Sequence, residues 1–240
     1  MNVVISQSML FPWVGLLEQI RLADVFVHYD DVQFSKGSFT NRVQVKTQNG
    51  LSWMTVPLDG HNLGQAINEV RVQPHEKWMA AHLDLLAKSF DSAPYLDDAM
   101  AIVKDVYSIG YGNIALLARQ SLMTLAEYFN LLDSTQFIDV STLDVKGSSS
   151  DRVLAIVKAV GGTRYITGHG ARNYLNHDIF ESNRIQVEYM SYQCIPYPQN
   201  HGRFTPYVTA LDLVAHRGQA GGSNICSKSI YWKDFLYEPN

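Results

Sequence analysis

Two short apolar runs near the amino terminus, Val3-Val4-Ile5 and Val25-Phe26-Val27, flank a stretch in which Leu16, Leu17, Ile20 and Ala23 recur at helical spacing. This spacing predicts a strand-helix-strand crossover and a parallel pair of strands, with Pro12 suited to the start of the helix, where its missing N–H is harmless. Both strands run into polar and aromatic residues. Gln7 and Phe11-Pro12-Trp13-Val14-Gly15 follow the first, and His28-Tyr29-Asp30-Asp31-Val32-Gln33-Phe34-Ser35-Lys36 ends the second. A chain that only had to fold would not need such residues there. In open α/β sheets ligands bind outside the carboxyl ends of the strands.

Further along, Phe39 to Lys46 and Leu51 to Val56 around Gln48-Asn49-Gly50 predict an antiparallel hairpin. Leu58 to Gln65 is expected to be a mobile loop and Ile67 to Val72 a strand. From Pro74 the pattern turns helical: Met79, Leu83, Leu86 and Phe90 share a stripe, and helical spacing recurs over 94–107 and 113–131. A short strand at 137–140 precedes a helix that Ser149 or Ser150 can cap, with Val153, Ile156, Val157 and Val160 on its apolar side. Tyr165-Ile166-Thr167 and Ile185 to Tyr189 read as strands, 171–175 as a short helix, 218–223 as a flexible glycine-rich turn, and Ile230-Tyr231-Trp232 as a segment that packs back. The expected architecture is α/β: a Rossmann-like, mostly parallel sheet with an antiparallel hairpin and an all-helical insert at about residues 74–135, in a single domain spanning 1–240.

Composition narrows the function. A net charge of -4 gives no basic footprint for nucleic acid, and no apolar run is long enough to cross a bilayer. The start of the chain lacks a signal-peptide pattern, and Cys194 and Cys226 form neither a CxxC pair nor a disulfide framework, so a cytoplasmic location is expected. Cys194 has no histidine placed beside it and reads as a structural thiol.

Four groups of residues carry candidate chemistry. Gln7 and Trp13 sit where a helix N-terminus favours an anion and an aromatic can stack on a base or sugar. Asp30 and Asp31 point in different directions at a strand end, so one can orient a base or bind a hydroxyl while the other ties down the loop. His28-x-Asp30 offers two ligand types but no third, and no metal or other cofactor is assigned. Gln33, Lys36, Asn41 and Arg42 extend that surface, Lys36 and Arg42 as phosphate partners. In Gly168-His169-Gly170 the glycines allow close backbone approach and His169 is a candidate base, with the N–H groups of Gly170 and Ala171 as oxyanion donors and Arg172 in support. Tyr197, Gln199 and Asp212, set among aromatics and prolines, suit a sugar or nucleotide platform and equally an ordered coil.

The segments Ile5-Ser6-Gln7, Phe11-Pro12-Trp13-x-Gly15, Ala23-Asp24-Val25-Phe26-Val27, Asp30 to Lys36, Asn41-Arg42 and Trp53-x-Thr55-Val56-Pro57 resemble the WbqC-like family. The resemblance resumes in Tyr165-Ile166-Thr167-Gly168-x-Gly170-Ala171-Arg172-x-Tyr174-Leu175, in Tyr197-x-Gln199 and in Phe204-x-Pro206 with Leu211-Asp212-Leu213. Ser8 departs from the family's usual proline, and Gln19 stands where a basic residue is common. The family is bacterial and associated with O-antigen and other surface-polysaccharide gene clusters. The resemblance therefore implies a transferase of surface-glycan biosynthesis, acting by acyl or aminoacyl transfer on a nucleotide-linked amino sugar with an acyl or aminoacyl thioester donor. His169 or Asp31 would serve as base, and homo-oligomerisation is left open. The competing expectation is a non-catalytic binding module or assembly factor of a glycan enzyme complex.

Overall fold

A computed structural model describes residues 1–237. In chain order the elements are β1 (Asn2–Ser6), α1 (Val14–Leu22), β2 (Val25–His28), β3 (Arg42–Thr47), β4 (Gly50–Thr55), α2 (Met79–Ser89), α3 (Leu96–Ser108), α4 (Ile114–Tyr128), β5 (Gln136–Asp139), α5 (Ser149–Ala159), β6 (Arg164–Thr167), α6 (His177–Ser182), β7 (Gln186–Ser191), α7 (Leu211–Arg217), β8 (Lys228–Tyr231) and α8 (Trp232–Tyr237). Six strands form one sheet in the order β5-β2-β1-β6-β7-β8, and β3-β4 form a separate two-stranded sheet. All neighbours in the larger sheet are parallel except β8, which runs antiparallel to β7. This is the expected α/β architecture, with the hairpin standing apart from the main sheet and α2 to α4 filling the stretch between hairpin and β5.

The apolar strands have two buried sides, each covered by helices. Val4, Phe26 and Ile166 pack with Leu16, Leu17 and Ile20 of α1 and with residues of the inserted helices, whereas Val3, Ile5, Val25 and Val27 pack with Val153, Ile156 and Val157 of α5. Strand side chains alternate between faces, so a run buried on both must be apolar at every position. Leu16, Leu17 and Ile20 have no exposed surface, and burying each contributes about 1.5–3 kcal/mol.

Several local expectations change. Residues 67–72, read as a strand, form a 3-10 turn at Ile67–Glu69 followed by isolated bridges at Arg71 and Val72. Ile67 and Val70, three apart, are both fully buried; a 3-10 turn puts them on one side, whereas an extended chain would need both of its faces covered. The 171–175 helix is a 3-10 segment, His169–Asn173. The glycine-rich 218–223 stretch is ordered 3-10 structure, in which a Cβ at Gly218 would lie 2.7 Å from the Tyr95 ring and one at Gly221 2.9 Å from Leu213. Those glycines permit close packing. Ser148 is the N-cap of α5, without a side-chain cap bond, while the Ser150 hydroxyl binds the turn after β6 through Tyr174 and Asn176.

Candidate functional site

Strand order reverses between β1 and β6, because the chain leaves β1 toward β2 on one side and reaches β6 on the other. The helices following these directions, α1 and α5, cover opposite faces, and such a reversal opens a crevice at the carboxyl ends of the two strands. Val4 pairs with Ile166, Ser6 with His28 and Thr167 with Tyr189. Continuing the register puts Gln7, Tyr29 and Gly168-His169 at nearly the same level on three adjacent strands, a width of about 10 Å.

Aromatic rings line this end of the sheet. Trp13 contacts Tyr192 at 4.9 Å and Tyr207 at 5.9 Å between centroids, Tyr192 contacts His169 at 5.1 Å, and His169 contacts Phe235 at 4.8 Å. Trp13 and His169, proposed independently from sequence, thus belong to one strip of rings. A Cβ on Gly15 would come within 2.3 Å of the Trp13 indole, so the glycine is the seat of that ring. Gln19 donates to the Tyr192 hydroxyl at 2.9 Å, and a Cβ on Gly168 would crowd the same hydroxyl at 3.3 Å. Phe11, at φ 36°, is held in its strained conformation by Ser121, which accepts from its N–H, and Thr209, which donates to its carbonyl. That bend aims Trp13.

His169 is exposed, and its Nε2 lies 2.7 Å from the Met190 carbonyl. A carbonyl only accepts, so Nε2 carries the proton and Nδ1 holds the lone pair of the neutral ring, with no partner among the described residues. Ala171 N–H is spent on the Gly168 carbonyl, while the N–H groups of His169 and Gly170 have no backbone partner among the described residues. Two strands away, Asp31 accepts from Arg152 Nη2 through Oδ2 at 2.5 Å, while its Oδ1 is shielded from solvent and unpartnered. Arg152 also lies over the Tyr29 ring at 5.1 Å. The Gln7 side chain is half-buried and makes no hydrogen bond among the described residues.

Asp30 is placed differently from its neighbour. It has no exposed surface, its Oδ1 accepts from Ser8 N–H at 2.8 Å, and its Oδ2 accepts from the Ser8 hydroxyl at 2.7 Å and from Arg119 Nε at 2.6 Å. Arg119 continues to Asp139. Because the Ser8 proton goes to Asp30, His28 Nδ1, 3.2 Å from Ser8 Oγ, is the donor of that pair. The arrangement is a buried brace, not a serine activated by a base, and it takes Asp30 out of reach of a substrate. Burial first, and Arg119 next, push His28 down to about 4. Burial disfavours a charged Asp139, but the Arg119 and Ser141 hydrogen bonds prevail and hold it at about 2.

The model of the WbqC-like protein family matches residues 7–223, from the turn after β1 to the segment that follows α7. The chain belongs to the WbqC-like family. Rv1507c of Mycobacterium tuberculosis, described as an uncharacterized protein, is 29% identical over 220 residues, covering 90% of this chain and 94% of its own length. No solved structure matches. Among the described residues no helix is long and apolar enough to cross a membrane.

The remaining candidates of this WbqC-like chain divide by what their polar groups do. Tyr197, Gln199 and Asp212 join a buried lattice around Lys46, which donates to Gln199 Oε1 at 3.2 Å, the Gly202 carbonyl at 3.1 Å and the Arg203 carbonyl at 2.5 Å. Gln199 also donates to the Tyr197 hydroxyl and the Thr205 carbonyl, and Asp212 faces His216 at 3.4 Å. These residues pin the coil after β7. Asn41 donates to the Val56 carbonyl, and Arg42 donates to the Gly37 carbonyl while stacking on Trp53 at 4.0 Å. Gln33, Lys36, Gly170 and Arg172 are exposed, with Arg172 6.0 Å from the Phe235 ring. Lys46, Arg119, Arg152 and Tyr192 were not singled out by sequence. Their only local signal is polarity within otherwise apolar spacing. A cavity of about 660 Å³ lies between the β3–β4 turn and α2; the candidate site is taken instead at the strand ends, where His169 Nδ1 has no partner, while another unpartnered acceptor, Asp212 Oδ1, lies in the Lys46 lattice.

Proposed function

We propose that this WbqC-like protein is a transferase of bacterial surface-glycan biosynthesis that moves an acyl or aminoacyl group from a thioester to the amine of a nucleotide-linked sugar. The observation that supports this reading is the exposed His169 at the strand ends, whose Nδ1 is left without a partner beside the Trp13 and Tyr192 rings. An amine attacking a carbonyl must be oriented and must lose a proton. Asp31, fixed by Arg152, accepts from the amine or a neighbouring hydroxyl. The amine nitrogen bonds to the thioester carbon, His169 takes the nitrogen's proton, and Gly170 N–H donates to the oxyanion. Collapse breaks the carbon–sulfur bond, and His169 returns the proton to the departing thiolate. Gln7, Trp13 and Tyr192 hold the sugar and base, with Lys36 and Arg172 near the phosphates.

The test is incubation of purified protein with nucleotide-linked amino sugars and acyl thioesters, reading thiol release and the amide product by mass spectrometry. His169→Ala is expected to lower turnover by about 10²–10⁴-fold and Asp31→Asn to weaken it with the melting temperature retained. Normal turnover in both variants would sink the assignment. A second reading, an assembly factor, draws on the exposed rings of Phe39, Trp53 and Tyr207, which are 45%, 42% and 62% accessible. It predicts that changing those rings, and not His169, abolishes function.

A further inference from the structure

A second concave site lies away from the strand ends, where the segment after the hairpin meets the inserted helices. Its volume is about 310 Å³, and Asp59, Arg71, His75, Glu76, Trp78 and Tyr111 are among its walls. The backbone of these walls is fixed in advance. Asp59 N–H donates to the Arg71 carbonyl, Leu58 bridges Val72, Arg71 bridges Asn113 at the start of α4, and Trp78 Nε1 donates to the Gln73 carbonyl at 3.0 Å.

The side chains are not spent in the same way. Among the described residues Asp59 and Arg71 have no ion-pair or hydrogen-bond partner although they share the cavity, and the only contact of Glu76 is with His75 at 3.5 Å. The Tyr111 hydroxyl is shielded from solvent and unpartnered. A shielded hydroxyl without a partner is a cost that a ligand able to engage it relieves. Two carboxylates against one guanidinium leave the walls with an excess of negative charge, which opposes a phosphate-bearing ligand. Carboxylates that accept, and a guanidinium and a phenol that donate, match a molecule that presents hydroxyls on its rim, over a floor in which the Trp78 and Tyr107 rings are almost wholly covered, at 7% and 1% exposed.

We infer that this cavity is a binding site for a single neutral sugar ring, distinct from the crevice where transfer is proposed. It lies at the small end of ligand-site volumes, which start near about 300 Å³. The inference does not depend on the transfer reading.

The indole N–H resonance of Trp78, assigned by its loss in Trp78→Phe, provides the readout. Titration with glucose, mannose, N-acetylglucosamine and their disaccharides is expected to move it saturably. Arg71→Ala and Tyr111→Phe, both changes outside the apolar core, should each weaken that binding about tenfold or more, as loss of a charged or shielded hydrogen bond does. His169→Ala should leave it unchanged, which separates this site from the crevice. A resonance that stays still with every sugar, an affinity unaffected in both variants, or a nucleoside diphosphate that occupies the cavity in preference to neutral sugars would each overturn the inference.

Discussion

Ser8 gives both its backbone N–H and its hydroxyl to the Asp30 carboxylate, at 2.8 and 2.7 Å. These two hydrogen bonds tie the exit of β1 to the exit of β2, and Arg119 locks the same carboxylate to α4. The level at which Gln7 leaves the sheet is therefore set by a brace one residue farther on.

Removing one member of that brace should cost far more than removing an exposed charge. Arg119→Met strands Asp30 beneath the surface, and breaking a buried pair typically costs about 3–5 kcal/mol. Ser8→Pro deletes both Ser8 donors and should cost about 2–4 kcal/mol, counting a charge-assisted hydrogen bond at about 1.5–3 kcal/mol and allowing for partial relaxation. Urea unfolding with unchanged m-values would check both. A Ser8→Pro protein as stable as the parent would show that the fold does not depend on the Ser8 donors.

Acid should weaken the fold in a defined window. His28 is held at about 4 in the folded chain against 6.5 when unfolded, because burial and then Arg119 disfavour its charge. The unfolded chain therefore binds the extra proton first. The stabilisation is complete above pH 6.5 and drains away as the pH falls toward about 4. A depression of this size corresponds to a loss on the order of 3 kcal/mol. Asp139 extends the loss below its ordinary value of 3.8. Melting temperature recorded against pH should show this decline, and His28→Asn should flatten its upper part.

Gly15→Ala puts a methyl group where the Trp13 indole lies, at 2.3 Å. The ring must tilt, at a cost of about 1–3 kcal/mol for an overpacked contact, and its contact with Tyr192 should loosen. Trp13 fluorescence, isolated by changing the other tryptophans, is expected to shift while the far-ultraviolet dichroism stays the same.

Lys46→Met should loosen the coil after β7 without melting the sheet, since the acceptors on Gln199, Gly202 and Arg203 all lose their shared donor. Hydrogen exchange would report it as faster exchange confined to about residues 199–206. Unchanged protection there would mean that Gln199, through Thr205 and Tyr197, suffices alone.

The strands were legible because continuous apolar runs and the polar residues that end them are local signals. The division of labour between Asp30 and Asp31 was legible only as a difference in direction. Which carboxylate is wholly buried in the brace and which stays partly exposed depends on Arg119 and Arg152, separated from them by 89 and 121 positions, and no spacing rule reaches that far. Tyr197, Gln199 and Asp212 suited a platform or a pinned coil equally, and Lys46, 153 positions from Gln199, decides what their polar groups do. Ile67 and Val70 can both be buried in a strand only if both faces are covered, and the backbone bonds to the 30–34 segment select the 3-10 turn that puts them on one side.

The sheet ends on both sides in strands of only four residues, β5 and β8, and β8 carries Lys228 on its outer reach. Short, charged margins give a second chain little ladder to extend. Stacking edge to edge into a continuous sheet is therefore disfavoured, and any self-association of this protein has to use its helical or hairpin surfaces.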